Sequence, residues 1–408
     1  MPSMAETVMK EDGITINGTS NYRQRERDRN ISATFNYVYH LDTRGSVLKL
    51  ITDYTDKKVT GNNLYHSLFE VREDWDAGTS NVATGKQEDI SGLYNSLPVT
   101  VTDSLYRSNT SSRYKVFTAD LSLSKQLRQG MTFSAGARYT HNDMSDTVRY
   151  ESSYLSEWSP VNEYNFLLDY MEDIGAVYGT FMVNKRGLSL SAGLRGEYTH
   201  VTGKGDKLRR SYFDLFPNAN ISYSFNAMRT FMLIGQYSRS IQRPNFWHLN
   251  PNRIQYSDYS YMVGNPNLRP TYINRFSVTA VYRYRYVLSV GGTLHHNLIR
   301  EVCKIDPSNP DVTYITPENH HTENHYYVAL SFPLRLAEWC NINANLVGVK
   351  QDIRGAEGEW RKSHYLYFNN VTTNFSLPAG LDLEVAYSGT SRLYSANAGI
   401  EPTHLFHA

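Results

Sequence analysis

No stretch of this 408-residue chain approaches the roughly 18 consecutive apolar residues that a membrane-crossing helix needs, so helical spanning is excluded. Charge of one sign is lacking too: 41 Lys and Arg against 40 Asp and Glu leave a net +1, and no global field to gather nucleic acid. Cysteine occurs twice, at Cys303 and Cys340. Two thiols make no disulfide framework, and the hairpins argued below set them at opposite ends of their strands, as inert wall thiols. The opening residues MPSMAETVMKEDG lack the basic stretch and apolar core of a secretion signal. The expectation is therefore a protein that stays inside the cell or a chain without its natural beginning.

Signatures of chemistry are equally scarce. Gly78-Thr-Ser-Asn-Val-Ala-Thr-Gly85-Lys86-Gln87 is spaced too widely for a phosphate loop, and Gln87 stands where a magnesium-binding hydroxyl belongs. No G-x-S-x-G elbow and no H-E-x-x-H helix occurs, so neither catalytic residues nor a cofactor are expected. Glu318-Asn-His320-His321-Thr-Glu323-Asn-His325 is rich in metal-ligand types. It reads as a polar loop running into a strand, where i, i+4 spacing no longer brings two imidazoles together, so these are expected to be solvated histidines and no metal site.

What the chain does have is tyrosine, 32 of them, beside 16 Phe and 5 Trp. Tyrosine suits strands, and it suits membrane-water boundaries because its ring is apolar and its hydroxyl is wet. Leu188, Leu190, Ala192, Leu194, Gly196 and Tyr198 alternate with Ser189, Ser191, Gly193, Arg195, Glu197 and Thr199, which gives a ribbon with one apolar wall and one wet wall. The same alternation runs from Phe117 to Leu123 and from Met131 to Tyr139, around a turn at residues 127–130. Marking every such turn gives 42–45, 127–130, 185–187, 226–229, 283–285, 335–339 and 377–380, hence about fourteen strands. The intervening polar connections are long: 60–112, 141–163, 201–210, 242–270, 301–322 and 352–362. Short turns at one end and long loops at the other, with strands of about a dozen residues and tyrosines near their ends, describe an outer-membrane barrel. An arginine facing lipid near the midplane costs about 2 to 4 kcal/mol, so the polar alternation, with Arg138, Arg195 and Glu197, is assigned to the lumen.

Two stretches carry a resemblance. Tyr237-Ser-Arg-Ser-Ile-Gln-Arg243-Pro244-Asn-Phe-Trp-His-Leu249-Asn250-Pro251, followed by Gly264-Asn265-Pro266-Asn267-Leu268-Arg269-Pro270, closely resembles the barrel of TonB-dependent outer-membrane receptors, in the outer membrane protein beta-barrel group typical of Bacteroidetes-type bacteria. Residues 172–178, 193–199 and 216–222 support it, and the resemblance extends over about residues 30–393. Read physically, the motifs are architectural: prolines end strand pairing, and Gly-Asn-Pro favours a turn.

The resemblance implies an all-β, antiparallel, up-and-down transmembrane barrel of about 22 strands filled by a plug, importing nutrients with energy delivered by TonB. About fourteen strands are legible here, without plug, TonB box or closing aromatic strand, so a truncated barrel region is expected. Its division is a pre-barrel segment at 1–29, a barrel at 30–395 with a polar insert at 60–112, and an irregular tail at 396–408. Expected partners are outer-membrane lipid, a plug, the TonB system and a surface lipoprotein. Trp247, Arg253, Tyr256, Tyr259 and Tyr261 are the candidates to touch an oligosaccharide, peptide or metal chelate. A passive porin or fatty-acid-type channel, and a soluble surface β-sheet binding protein, remain the competing readings.

Overall fold

The computed structural model describes residues 3–11, 14–73, 100–154, 157–162, 165–203, 209–251, 253–257, 259–356, 360–395 and 398–407. Almost all of them lie in strands. In chain order these are β1 (Ser3–Glu11), β2 (Ile14–His40), β3 (Val47–Glu73), β4 (Thr100–Arg128), β5 (Met131–Tyr154), β6 (Glu157–Pro160), β7 (Phe166–Lys185), β8 (Leu188–Gly203), β9 (Arg209–Ser224), β10 (Phe231–Gln242), β11 (Arg253–Ser257), β12 (Ser260–Val263), β13 (Thr271–Tyr282), β14 (Tyr286–Asp306), β15 (Asn309–Ala337), β16 (Cys340–Arg354), β17 (Arg361–Leu377), β18 (Leu381–Thr390), β19 (Leu393–Ser395), β20 (Ala398–Ile400) and β21 (Thr403–His407), with one helical turn, α1 (Phe246–Leu249). Nineteen strands form one sheet and β19 with β20 form a separate hairpin. Among the described residues pairing is antiparallel except between β12 and β15. Among the described residues no pairing joins β1 to β18 or β21, so the sheet is open.

The seven short turns fall where the alternation places them. They close the hairpins β2–β3, β4–β5, β7–β8, β9–β10, β13–β14, β15–β16 and β17–β18, which together are fourteen long strands. At one of them Gly187 has φ +84 and a Cβ there would lie 2.9 Å from the Ser224 carbonyl oxygen, so glycine is required on both counts. Turn residues with side chains adopt the same region: Arg186, Arg229, Arg283, Tyr284 and Ala379 all have φ between 46 and 66.

The far end differs from expectation. Most of the polar stretches read as loops are ladder: β3 and β4 stay paired from Val47↔Ser124 to Val71↔Thr100, and β14 and β15 continue as one hairpin out to Asp306↔Asn309. The segment read as pre-barrel holds β1 and the first half of β2, and the segment read as an irregular tail holds β20 and β21, the latter paired with β18. Among the described residues the strands accordingly number 21. Strict apolar alternation is needed only where one face meets lipid; beyond that band both faces are wet, and the ladder persists on backbone hydrogen bonds and cross-strand pairs without a period-two signature. The middle of the 60–112 insert, with the Gly78–Gln87 stretch, lies outside the described residues.

The apolar wall faces outward. Val177 is 66% exposed, Leu194 51% and Val328 52%, whereas Glu197 and Thr199 on the opposite face are buried. Such exposure would be unfavourable in water and is favourable against acyl chains. The buried apolar cluster is small, formed by Tyr170, Val201, Leu249 and Leu268, and it marks where the segment between β10 and β13 presses on the inner wall. Cys303 is exposed, Cys340 is buried, and neither is in a disulfide.

Candidate functional site

The chain leaves β10 at Arg243 and returns at Pro270 to begin β13. Its first anchor is Arg243, whose Nη2 donates to Glu197 Oε2 at 2.7 Å and to Thr199 Oγ1 at 2.9 Å, while its Nε lies 3.6 Å from Glu172 Oε1. Arg195 donates from Nε to the other Glu197 oxygen at 2.5 Å. Two residues expected to face the lumen, Arg195 and Glu197, are thus joined to the motif arginine. Arg138 shares that face, opposite Asp120 and Ala176 in register, and stands outside the cluster.

The second anchor reaches across the sheet. Asn250 donates from Nδ2 to Asp146 Oδ2 at 2.6 Å, and Ser112 donates to Asp146 Oδ1 at 2.6 Å. Burial pushes the Asp146 carboxyl up from its ordinary range, against the downward pull of these donors. Asn250 also closes the segment on itself: its carbonyl accepts from Gly264 N at 2.9 Å, and Asn265 N donates to the His248 carbonyl at 2.6 Å. A Cβ at Gly264 would sit 2.2 Å from the Asn250 carbonyl oxygen, so only glycine permits this approach. Asn265 Nδ2 then reaches the Pro317 carbonyl at 3.1 Å, and Asn319 clamps Arg269, accepting from its N at 2.8 Å and donating to its carbonyl at 2.9 Å. Pro244, Pro251, Pro266 and Pro270, which have no N–H to leave unpaired, stand between these bonds. The motif is an inward-docked strap, held to β5, β7, β8 and β15.

The five aromatic and basic candidates divide. Trp247, on α1, is 53% exposed. The Arg253 guanidinium lies 3.7 Å over the Tyr261 ring, which stacks on Tyr314 at 5.2 Å and 10° and donates its hydroxyl to Asp306 at 2.9 Å. Burial and the Asp306 carboxylate push the Tyr261 phenol up to about 12. The Tyr259 carbonyl accepts from Thr313 N at 2.9 Å, which docks the β11–β12 hairpin on β15. Tyr256 lies in β11, and its side chain is outside the described residues.

Trp247 and Arg253 also roof a cavity of about 210 Å³ whose floor is the wet face of β2 to β5, with Tyr22, Tyr65, Tyr106 and Tyr150 among its lining. Sequence reasoning missed this floor, because its residues fall in stretches read as pre-barrel segment, insert and loop. Tyr65 and Tyr106 approach with ring centroids 6.2 Å apart, and Tyr106 and Tyr150 with 6.1 Å, a tilted aromatic ladder across three strands. Tyr22 lies 18 residues from the β2–β3 turn end at His40. At about 3.3 Å per residue and a tilt near 40°, that is roughly 45 Å up, above the roughly 25 Å apolar band.

A second polar cluster corrects the reading of the histidine-rich stretch. His320 is 1% exposed and packs edge-on against Trp360 at 5.5 Å. Glu323 is fully buried, accepting two bonds from Arg300 at 3.1 and 2.7 Å and one from Gln351 at 2.9 Å, with His325 Nε2 at 3.0 Å. His320 and Glu323 are not solvated, whereas His321 is exposed; all belong to β15, whose continuation into this region carried no apolar alternation. Among the described residues no group of metal-ligand side chains could hold a metal ion.

A model of the "Outer membrane protein beta-barrel family" matches residues 74–408. The chain belongs to that family. Its place is accordingly the outer membrane of a Gram-negative cell. Solved structures are similar to this chain. The copper transporter OprC is similar at a TM-score of 0.52 and 8% identity, covering 99% of this chain and 68% of its own. The siderophore receptor PirA from Pseudomonas aeruginosa aligns at 0.43 and 13% identity over 94% and 71%, and the ferric-catecholate import receptor Fiu from E. coli K12 at 0.44 and 9% over 99% and 72%. No curated protein matches.

Proposed function

We propose that this family member is the barrel of a TonB-dependent receptor, which binds a scarce nutrient at its outer mouth and passes it inward when TonB acts through a plug. The single observation that favours a receptor over a passive channel is the strap at residues 243–270, anchored by Arg243 to Glu197 and by Asn250 to Asp146. A passive pore gains nothing from a segment held across its inner wall by an ion pair and a buried hydrogen bond. A receptor gains a fixed platform that carries Trp247, Arg253, Tyr256, Tyr259 and Tyr261, the residues proposed to touch an oligosaccharide, peptide or metal chelate. A surface lipoprotein that hands over ligand is a further proposed partner.

The test is growth of the native bacterium on single limiting nutrients. Deleting this gene and deleting TonB should abolish growth on the same nutrient, and Trp247→Ala with Tyr256→Ala should reproduce the gene deletion for that nutrient alone. Uptake that is lost with the gene but kept without TonB would establish a passive channel instead.

A further inference from the structure

We propose that the cavity beneath α1 is a subsite for one neutral, hydroxyl-bearing ring, a single sugar unit of a larger oligosaccharide. The inference rests on the receptor reading and gives that reading a ligand class. Size comes first: about 210 Å³ is below the roughly 300 to 1,000 Å³ of sites that engulf a whole drug-sized ligand, so it holds one ring of a longer molecule. Surface chemistry comes next. Tyr106, half-buried and backed by the buried Tyr65 and Tyr150, offers an aromatic surface with Trp247 across the cavity, and the C–H faces of a pyranose pack on such rings.

A polar group awaits a donor there. Asn63, on the floor between Tyr65 and Gly61, donates its Nδ2 to Ser108 Oγ at 3.1 Å, and its carbonyl Oδ1 is buried with no hydrogen-bond partner. A buried acceptor without a donor is unfavourable, and a ligand hydroxyl removes that penalty. Gln24 and Thr110 add polar groups around it.

Charge decides against an anionic chelate. The lining holds two carboxylates, Glu26 and Asp146, against one guanidinium, Arg253, which already lies on Tyr261. Strand geometry decides against an extended peptide. Peptides read by backbone add to an open sheet edge, whereas Asn63 lies in a ladder paired on both sides, to Gln24 and to Ser108.

The experiment uses the full chain folded in detergent micelles, with folding checked by heat-modifiable gel mobility. Binding is measured for neutral hexasaccharides (maltohexaose, cellohexaose, xylohexaose, mannohexaose), with hexagalacturonate and ferric enterobactin as anionic probes. The expected result is that at least one neutral hexasaccharide binds, that its affinity falls at least tenfold in Asn63→Leu and in Trp247→Ala, and that the anionic probes do not compete. Trp247 lies on the strap and outside the strand ladder, so its replacement leaves the barrel folded. Absence of neutral-sugar binding, competition by either anionic probe, or unchanged affinity in both variants overturns the subsite. The TonB growth comparison is independent of this outcome and reports on the receptor reading alone.

Discussion

Glu323 shows how much of the mouth rests on single residues. Fully buried, it is held to about 2 from a usual 4.5 because the donors on Arg300 and His325 outweigh the burial that would raise it. Arg300→Met leaves that charge without its bidentate partner and is expected to cost roughly 3 kcal/mol, whereas Arg300→Met with Glu323→Leu should restore most of the loss, since an apolar pair replaces a buried ion pair at little cost. Urea unfolding of the two variants in detergent, followed by intrinsic fluorescence, separates the cases. The same residues fix a pH dependence. His320 is lowered by burial from 6.5, so the unfolded chain takes up its proton first, and the stability it contributes is present above 6.5 and lost as pH falls below it. Glu323, depressed in the folded state, contributes stability that is complete above 4.5 and fades as pH falls towards 2. His248, His295 and His364 are lowered by burial in the same sense, so unfolding midpoints measured at pH 7.5, 5.5 and 3.5 should fall in two stages, and His320→Phe should lessen the first without altering the second.

Hairpins were legible as elements, because a turn between two alternating runs announces itself twice, in its Gly or polar residues and in the change of apolar phase. Gly187 and Ala379 test how far that chemistry is matched. Both residues adopt left-handed backbone, at φ 84 and 66. Gly187→Ala is expected to destabilise by about 1 to 2 kcal/mol through its Cβ, while Ala379→Gly should gain about 0.5 kcal/mol, the relieved strain being partly offset by a freer unfolded chain. Reversed signs in urea melts of the two variants would break the argument. Above the lipid band the sequence is silent, since Ser108, Asn63 and Asp146 belong to strands wet on both faces. The strap was half legible. Pro244, Pro251 and the Gly264-Asn265-Pro266 turn mark where it bends, but its anchors Asp146 and Glu197 lie 104 and 46 residues from Asn250 and Arg243, and no local period connects such partners.

Across the whole molecule two solvents meet one sheet, and each strand must satisfy both. On β13, Phe276 and Val278 look outward and Ser277 and Thr279 inward, so a one-residue slip would turn Arg275, Ser277 and Thr279 towards lipid. Val278 lies four residues from the β13–β14 turn end at Tyr282, which puts it roughly 10 Å up, near the middle of the apolar band. Val278→Arg should therefore cost about 2 to 4 kcal/mol in lipid vesicles, and Thr279→Arg, one residue along and facing the lumen, well under 1 kcal/mol. Reversible urea unfolding in vesicles checks the pair. The contrast is set by the sheet's orientation in the bilayer: equal costs in vesicles would mean that this wall does not face lipid, and the strap and cavity above it would lose their position at the mouth.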